Sequence, residues 1–338
     1  MAEPTPVTVF TGFLGAGKTT LLNRLVRHPG MAGTAVLINE FGEIGLDHLL
    51  VEALDADTVL LAAGCLCCTI RGDIARTLAS LRPRIAAGLV QRVVIETTGL
   101  ADPAPILHTL MREPMVASAF RLDGIVTLVD AVHGAGQLAA HDEARRQAAV
   151  ADRLVLTKTD LAPDTSALVA ALRRLNPGAP LLVADRGAIE PAAILDAGLF
   201  DAAGKITDVA AWLQAEAVAA SADHDHHSHD PNRHSAAIHA FCLTYAAPLH
   251  WQGIGSCLEM LIGTRGESLL RVKGILNLVG QDRPVAIHGV QHLFHEPVLL
   301  AAWPPGDPRT SRIVFITRDL DRETIAAGLA AFEAAAAE

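Results

Sequence analysis

The residues Gly12-x-x-x-x-Gly17-Lys18-Thr19 are spaced to hold a nucleoside triphosphate. Gly12, Gly15, Ala16 and Gly17 form a turn whose backbone N–H groups can approach phosphate oxygens. The helix that follows adds the positive end of its dipole. Lys18 is expected to reach the β- and γ-phosphates and the Thr19 hydroxyl to hold Mg²⁺, with Thr20 completing the phosphate-contacting set. Downstream, Glu96-Thr97-Thr98-Gly99 places an acid at the end of an apolar run and a glycine three residues later. This suits an acid that supports Mg²⁺ through water, with Gly99 sensing the γ-phosphate. Further on, Thr157-Lys158-Thr159-Asp160 offers a carboxylate that can accept hydrogen bonds from guanine N1–H and N2–H₂. Adenine lacks that donor pair, so Asp160 would select GTP over ATP. The Lys158 stem would pack along the base. The common form of this pattern begins with Asn; here Thr157 stands in its place.

Two stretches lie between the phosphate loop and Glu96. Asn39–Asp47 is acidic and carries Gly42 and Gly45 as hinges. Such a segment can be ordered by γ-phosphate and Mg²⁺ and released on hydrolysis; it can equally be an acidic surface loop. Glu40 and Glu43, with Glu96, are candidates to support Mg²⁺ or orient the attacking water, and Lys18, Glu96 and Glu40 form the candidate catalytic set. No arginine can be assigned as a finger acting from within the chain, which predicts slow intrinsic hydrolysis. The second stretch, Gly64-Cys65-Leu66-Cys67-Cys68, crowds three of the chain's five cysteines into four positions. Three thiolates on one loop can bind Zn²⁺ or Co²⁺ and leave a tetrahedral position for water, a histidine or a client ligand. That suits transfer better than permanent structure. Buried apolar cysteines and a redox pair are the other readings of these residues.

Elements that can position these groups are legible around them. Apolar, β-branched runs at Val7–Phe10, Ala35–Asn39, Val59–Leu61, Val93–Thr97, Ile125–Asp130, Arg153–Thr157 and Leu181–Ala184 read as strands. Helical stretches fall between several of them. Thr20–His28 is stopped by Pro29-Gly30, and Ala162–Arg174 is capped by Asp164-Thr165 and ended by Asn176-Pro177-Gly178. This alternation predicts an α/β fold, a P-loop NTPase with a mainly parallel, doubly wound sheet. Ligands bind at the carboxyl ends of the strands in such sheets, where every motif above falls.

Ala203–Ala220 reads as a helix, after which the composition changes. Ser221–His234 holds His224, His226, His227, His229 and His234 among Asp223, Asp225 and Asp230. It reads as a metal-collecting linker or as a plain solvated one. Beyond it, strands are expected at Ile238–Tyr245, Leu269–Val279, Val285–Val290, Val298–Trp303 and Arg312–Thr317, and helices at Leu249–Ile262 and Asp321–Ala337. The expected plan is a nucleotide domain at residues 1–220, a His-rich linker at 221–236 and a smaller α+β domain at 237–338. Cys242 and Cys257 are expected in its core, and His288, His292 and His295 as structural or interfacial groups, with metal ligation as the other reading. A net charge of −10 without a basic stripe argues against a nucleic-acid partner. No apolar run has membrane-spanning length and no signal-peptide pattern opens the chain, so no membrane association is expected and a cytoplasmic location is.

Taken in order, Gly12–Thr19, Asn39–Asp47, Gly64–Cys68, Glu96–Gly99 and Thr157–Asp160 resemble the CobW-type family of P-loop GTPases, relatives of the urease- and hydrogenase-maturation GTPases. Arg271-Val272-Lys273-Gly274 and His288–Phe294 resemble that family's second domain. The resemblance implies GTP hydrolysis coupled to handling of a transition metal, zinc or cobalt. It carries phosphate and Mg²⁺ contacts onto Gly15, Gly17, Lys18 and Thr19, guanine contacts onto Lys158 and Asp160, and metal ligation onto Cys65, Cys67 and Cys68. The partner it implies is a client metalloprotein; a homodimer stays open. An accessory role in cobalt insertion during cobalamin synthesis and a metal-storage or sensing role are the competing expectations.

Overall fold

A computed structural model describes residues 3–38, 59–62, 70–195, 238–304 and 306–338. The acidic stretch from Asn39, the cysteines at 65, 67 and 68, the expected helix Ala203–Ala220 and the His-rich run lie outside the described residues. The chain divides into two compact units, Met1–Ala171 with Ala179–Leu199, and Leu172–Gly178 with Phe200–Glu338.

The first unit is built on seven parallel strands: β1 (Thr5–Gly12), β2 (Thr34–Ile38), β3 (Val59–Ala62), β4 (Arg92–Glu96), β5 (Phe120–Asp130), β6 (Arg153–Thr157) and β7 (Leu181–Val183). Their order is β3-β2-β4-β1-β5-β6-β7. The chain lays β2, β3 and β4 on one side of β1, then β5, β6 and β7 on the other. The strand order therefore reverses beside β1, where a crevice forms at the carboxyl edge. The unit also carries helices α1 (Lys18–Leu25), α2 (Ile70–Ala86), α3 (Ala104–Arg112), α4 (Pro114–Ala117), α5 (Gly134–Ala140), α6 (Asp142–Ala149), the first part of α7 (Ser166–Leu175) and α8 (Pro191–Ile194). β1 is buried on both faces. Phe10 packs with Leu21, Leu22 and Leu25 of α1, Val36 and Val94 on one side, while Val7 and Val9 are fully buried on the other. Burial on both faces is why β1, β2, β4, β5 and β6 read as continuous apolar runs rather than alternating ones.

The second unit holds an antiparallel sheet of β8 (Ile238–Tyr245), β9 (Leu269–Leu276), β10 (Val285–Val290), β11 (Leu293–Phe294), β12 (Val298–Leu299) and β13 (Ser311–Arg318). Its order is β11-β10-β9-β13-β8, with β12 also pairing β10. Helices α9 (Trp251–Arg265) and α10 (Arg322–Ala336) pack on it. Phe241, Leu243, Val272, Ile287, Ile313 and Phe315 from the sheet meet Ile254, Cys257, Leu258, Leu261, Ile325 and Leu329 from the helices in one core. Asp321 caps α10, accepting a hydrogen bond from the Thr324 N–H at 2.7 Å.

Several boundaries differ from the sequence reading. α7 begins at Ser166, four residues later than expected. Pro163 disfavours helical backbone at Ala162, which is extended, and Asp164 accepts from the Ser166 N–H at 2.8 Å. Strand β12 ends at Leu299, well short of Trp303. Cys257 belongs to the core, where burial pushes its thiol up to about 11. Cys242 does not: it alternates with Phe241 and Leu243 on β8, facing away from the core they enter, and is half-buried.

Candidate functional site: a nucleotide crevice at the carboxyl edge of the parallel sheet

Strand β1 delivers Gly12 to the edge of the sheet, and the chain turns through Phe13–Gly17 into α1. Gly17 caps that helix with φ +84°, a left-handed backbone that favours glycine, and no side chain caps the helix end. The first N–H groups of α1 are thus directed at the crevice, as an anion site requires. Lys18 is buried, and its ammonium donates to the Gly12 carbonyl at 2.7 Å and the Phe13 carbonyl at 3.3 Å. The lysine folds back over the loop's own carbonyls at the place where phosphate oxygens would compete for it.

Glu96 ends β4, immediately beside β1, and is almost fully buried. The Thr19 hydroxyl donates to Glu96 Oε1 at 2.9 Å. A hydroxyl backed by a buried carboxylate is an all-oxygen donor set of the kind Mg²⁺ prefers, so these residues fit the cation that accompanies a triphosphate. After Glu96, the Thr97 N–H donates to the Phe10 carbonyl at 2.9 Å, and the Thr97 and Thr11 hydroxyls meet at 2.9 Å. Gly99 then passes so close to the phosphate loop that a Cβ there would lie 2.7–2.8 Å from Leu14 atoms, backbone included. Only glycine allows this approach, which holds a prospective γ-phosphate sensor against the loop it must report on.

The stretch expected to read the base begins at the end of β6. Thr157 is buried, and its hydroxyl donates to the Ala16 carbonyl at 2.8 Å. The threonine in the usual Asn position thus ties this segment to the phosphate loop. Lys158 has left-handed backbone (φ +57°), and its ammonium lies 2.8 Å from Asp130 Oδ2. Asp160 is exposed in the short 3₁₀ turn Thr159–Leu161.

These elements enclose a cavity of about 840 Å³ lined by Leu14, Gly15, Gly17, Lys18, Thr19, Thr20, Ile38, Glu96, Thr97, Thr98, Gly99, Leu100, Ala101, Asp102, Pro105 and Lys158. Of the expected set, the structure brings Gly15, Gly17, Lys18, Thr19, Thr20, Glu96, Gly99 and Lys158 to one cavity. Gly12, Ala16 and Thr157 lie behind the lining as its support, and Asp160 is not part of the lining. Glu40, Cys65, Cys67 and Cys68 lie outside the described residues, and among those described no group of three or more His, Cys, Asp or Glu is placed to hold a metal. His288 and His295 stack with ring centroids 4.9 Å apart.

Two buried side chains escaped the sequence reading. Asp130, at the end of β5, receives Val132 N–H at 2.8 Å and His133 N–H at 3.2 Å on one oxygen, and faces Lys158 and His133 with the other. Burial alone would push its carboxyl up, but the hydrogen bonds from Lys158, His133 and Val132 together hold it below the usual carboxylate range. The ion pair therefore persists through neutral pH and is lost only as pH falls through that lowered value. Gln147, on α6, donates to the Gly99 carbonyl at 3.1 Å and the Ala101 carbonyl at 3.0 Å. Asp130 carried one signal in sequence, an acid ending an apolar strand; Gln147 carried none.

Comparison with known proteins places this arrangement. Residues 6–183 match the model of the CobW/HypB/UreG nucleotide-binding domain, and residues 238–333 that of the cobalamin synthesis protein cobW C-terminal domain. The chain is 33% identical over 333 residues to the zinc chaperone YjiA of Escherichia coli, covering 97% of this chain and 98% of that one. It is 29% identical to the zinc chaperone CobW of Sinorhizobium, covering 96% of each. The crystal structure of the Zn(II)-bound YjiA GTPase from E. coli superimposes with a TM-score of 0.73 at 28% identity, over 98% of this chain and 99% of that one.

Proposed function

We propose that this chain, which belongs to the CobW/HypB/UreG family, binds and hydrolyses GTP and uses that cycle to hold and release a zinc-class metal ion destined for a client protein. The observation that carries the reading is the strand order. β3, β2, β4 and β1 are consecutive neighbours in the sheet. The segment with Cys65, Cys67 and Cys68 leaves β3, the acidic segment from Asn39 leaves β2, Glu96 ends β4, and the phosphate loop leaves β1. Neighbouring strands lie about 4.8 Å apart, so the chain departs toward the cysteines roughly 10 Å from the end of β4 and roughly 14 Å from that of β1. A nucleotide in the crevice and a metal on the thiolates would then share the acidic segment between them.

In this reading the α1 N-terminus, Lys18 and the phosphate-loop amides bind the triphosphate, and Lys158 with Asp160 selects guanine. Thr19 and Glu96 hold Mg²⁺, which supplies neutralisation of charge on the β- and γ-phosphates. Glu40 is the candidate to orient water. The thiolates take the metal as cargo, with one position left for the recipient. The relatives named as zinc chaperones favour Zn²⁺, and thiolates also accept Co²⁺. GTP is supplied in the cytoplasm, where this reading places the protein.

The test is a competition titration of zinc against a chromogenic chelator, run beside GTP turnover. Wild type should bind one tight Zn²⁺ per chain, and Cys67→Ala should lose it while keeping GTP affinity within about twofold, because the two sites use different residues. Unchanged zinc affinity in Cys67→Ala would remove the thiolate site from the account.

A further inference from the structure

We propose that Asp130 is a positioning residue for base recognition: its buried carboxylate holds the Lys158 side chain in the pose in which that lysine packs along guanine. The proposal rests on the reading of Lys158 and Asp160 as the guanine-contacting pair. β5 and β6 are parallel neighbours, and their register sets Asp130 opposite Thr157, one residue before Lys158. Two strand ends thereby bring a carboxylate and an ammonium to the same level of the crevice, 2.8 Å apart. The Asp130 side chain is 2% exposed and the Lys158 side chain 36% exposed, so the anchor is fixed and the anchored group still faces the cavity.

The anchor is itself locked. Asp130 Oδ1 accepts from the Val132 and His133 N–H groups, leaving Oδ2 to face Lys158 at 2.8 Å and His133 Nδ1 at 3.1 Å. His133 is largely exposed and does not line the cavity, so Lys158 is the partner that leads into the crevice. A free lysine loses rotamer freedom when it settles on a ring; one already paired to a rigid carboxylate has lost part of it beforehand. Aspartate is a poor strand residue, and at this strand end its side chain is spent on the turn that follows and on Lys158. Asp130 does not line the cavity and Lys158 does, so the proposed route from the carboxylate to the nucleotide runs through Lys158.

The experiment uses the full chain and equilibrium binding of GDP and ADP, which avoids turnover. Four proteins are compared: wild type, Asp130→Asn, Lys158→Ala and the double variant. Asp130→Asn keeps the shape and the acceptor for Val132 and His133 but removes the charge facing Lys158. It should weaken GDP about tenfold, the effect of losing one charge-assisted contact. Lys158→Ala should show a similar loss, and the double variant no more than Lys158→Ala alone. Asp130→Glu, which keeps the charge one methylene further out, should fall between wild type and Asp130→Asn, and it carries the test if the asparagine variant does not fold. An Asp130→Asn protein that binds GDP like wild type, or losses that add in the double variant, overturns the proposal alone. A wild type that binds ADP as tightly as GDP overturns the guanine reading beneath it, and the proposal with it.

Discussion

Thr19 and Glu96 are 77 residues apart in sequence and 2.9 Å apart in the fold, and that single contact joins the phosphate loop to the neighbouring strand end. Glutamine at position 96 keeps the size and the acceptor for the Thr19 hydroxyl but removes the negative charge behind the cation. Glu96→Gln should therefore fold normally, lower kcat for GTP by roughly 10- to 100-fold and raise the Mg²⁺ concentration needed for half-maximal rate, as loss of a metal's supporting partner does. Steady-state hydrolysis across an MgCl₂ series checks this; an unchanged rate and Mg²⁺ requirement would leave Glu96 a structural residue. The placement of Lys18 and Thr19 at one crevice is legible in sequence because the pattern is local, with glycines, ammonium and hydroxyl within eight positions. Thr157 is half legible. Its place at the end of β6 marks the segment expected to read the base, but its bond to the Ala16 carbonyl spans 141 residues and depends on the sheet. Asp130 is less legible still, because what gives it meaning is its register with β6.

Among the elements, α5 and α6 brace both nucleotide-facing loops. His141, between them, stacks on Phe13 of the phosphate loop with centroids 4.6 Å apart, and Gln137 donates to the Leu14 carbonyl at 3.3 Å. From α6, Gln147 holds the Gly99 and Ala101 carbonyls, and its own carbonyl accepts from the Thr127 hydroxyl at 2.7 Å. Gln147→Ala leaves those two carbonyls without their donor and should cost about 1–3 kcal/mol, read from urea unfolding of the nucleotide-free protein. A loss under about 0.5 kcal/mol, the range of an ordinary surface change, would mean that the brace carries no weight. Strands β1, β2, β4, β5 and β6 were legible because both their faces are buried and the apolar runs are continuous. Their ends were less so. The late start of α7 follows from a local rule, proline acting on Ala162, whereas the backward extension of β5 to Phe120 follows from its pairing with β1 over Thr5–Gly12. The second unit's strands were legible as strand-like runs, and Cys242 was misplaced because an apolar strand pattern does not say which of its two faces meets the core.

At the scale of the molecule, the crevice proposed to hold nucleotide lies within the first unit, and strands β3 and β2 lead toward the cysteine and acidic segments from the same edge of the sheet. Among the described residues no helix is long and apolar enough to cross a membrane. The central claim is that nucleotide state sets metal affinity, and coupling of this kind is reciprocal: if GTP alters zinc binding, zinc alters GTP binding by the same factor. The direct measurement is zinc affinity of the full chain, by chelator competition, with a non-hydrolysable GTP analogue and Mg²⁺, with GDP and Mg²⁺, and without nucleotide. The account predicts affinity at least about fivefold higher with the GTP analogue than with GDP, the lower end of ordinary allosteric coupling. Equal zinc affinity in all three states would contradict it.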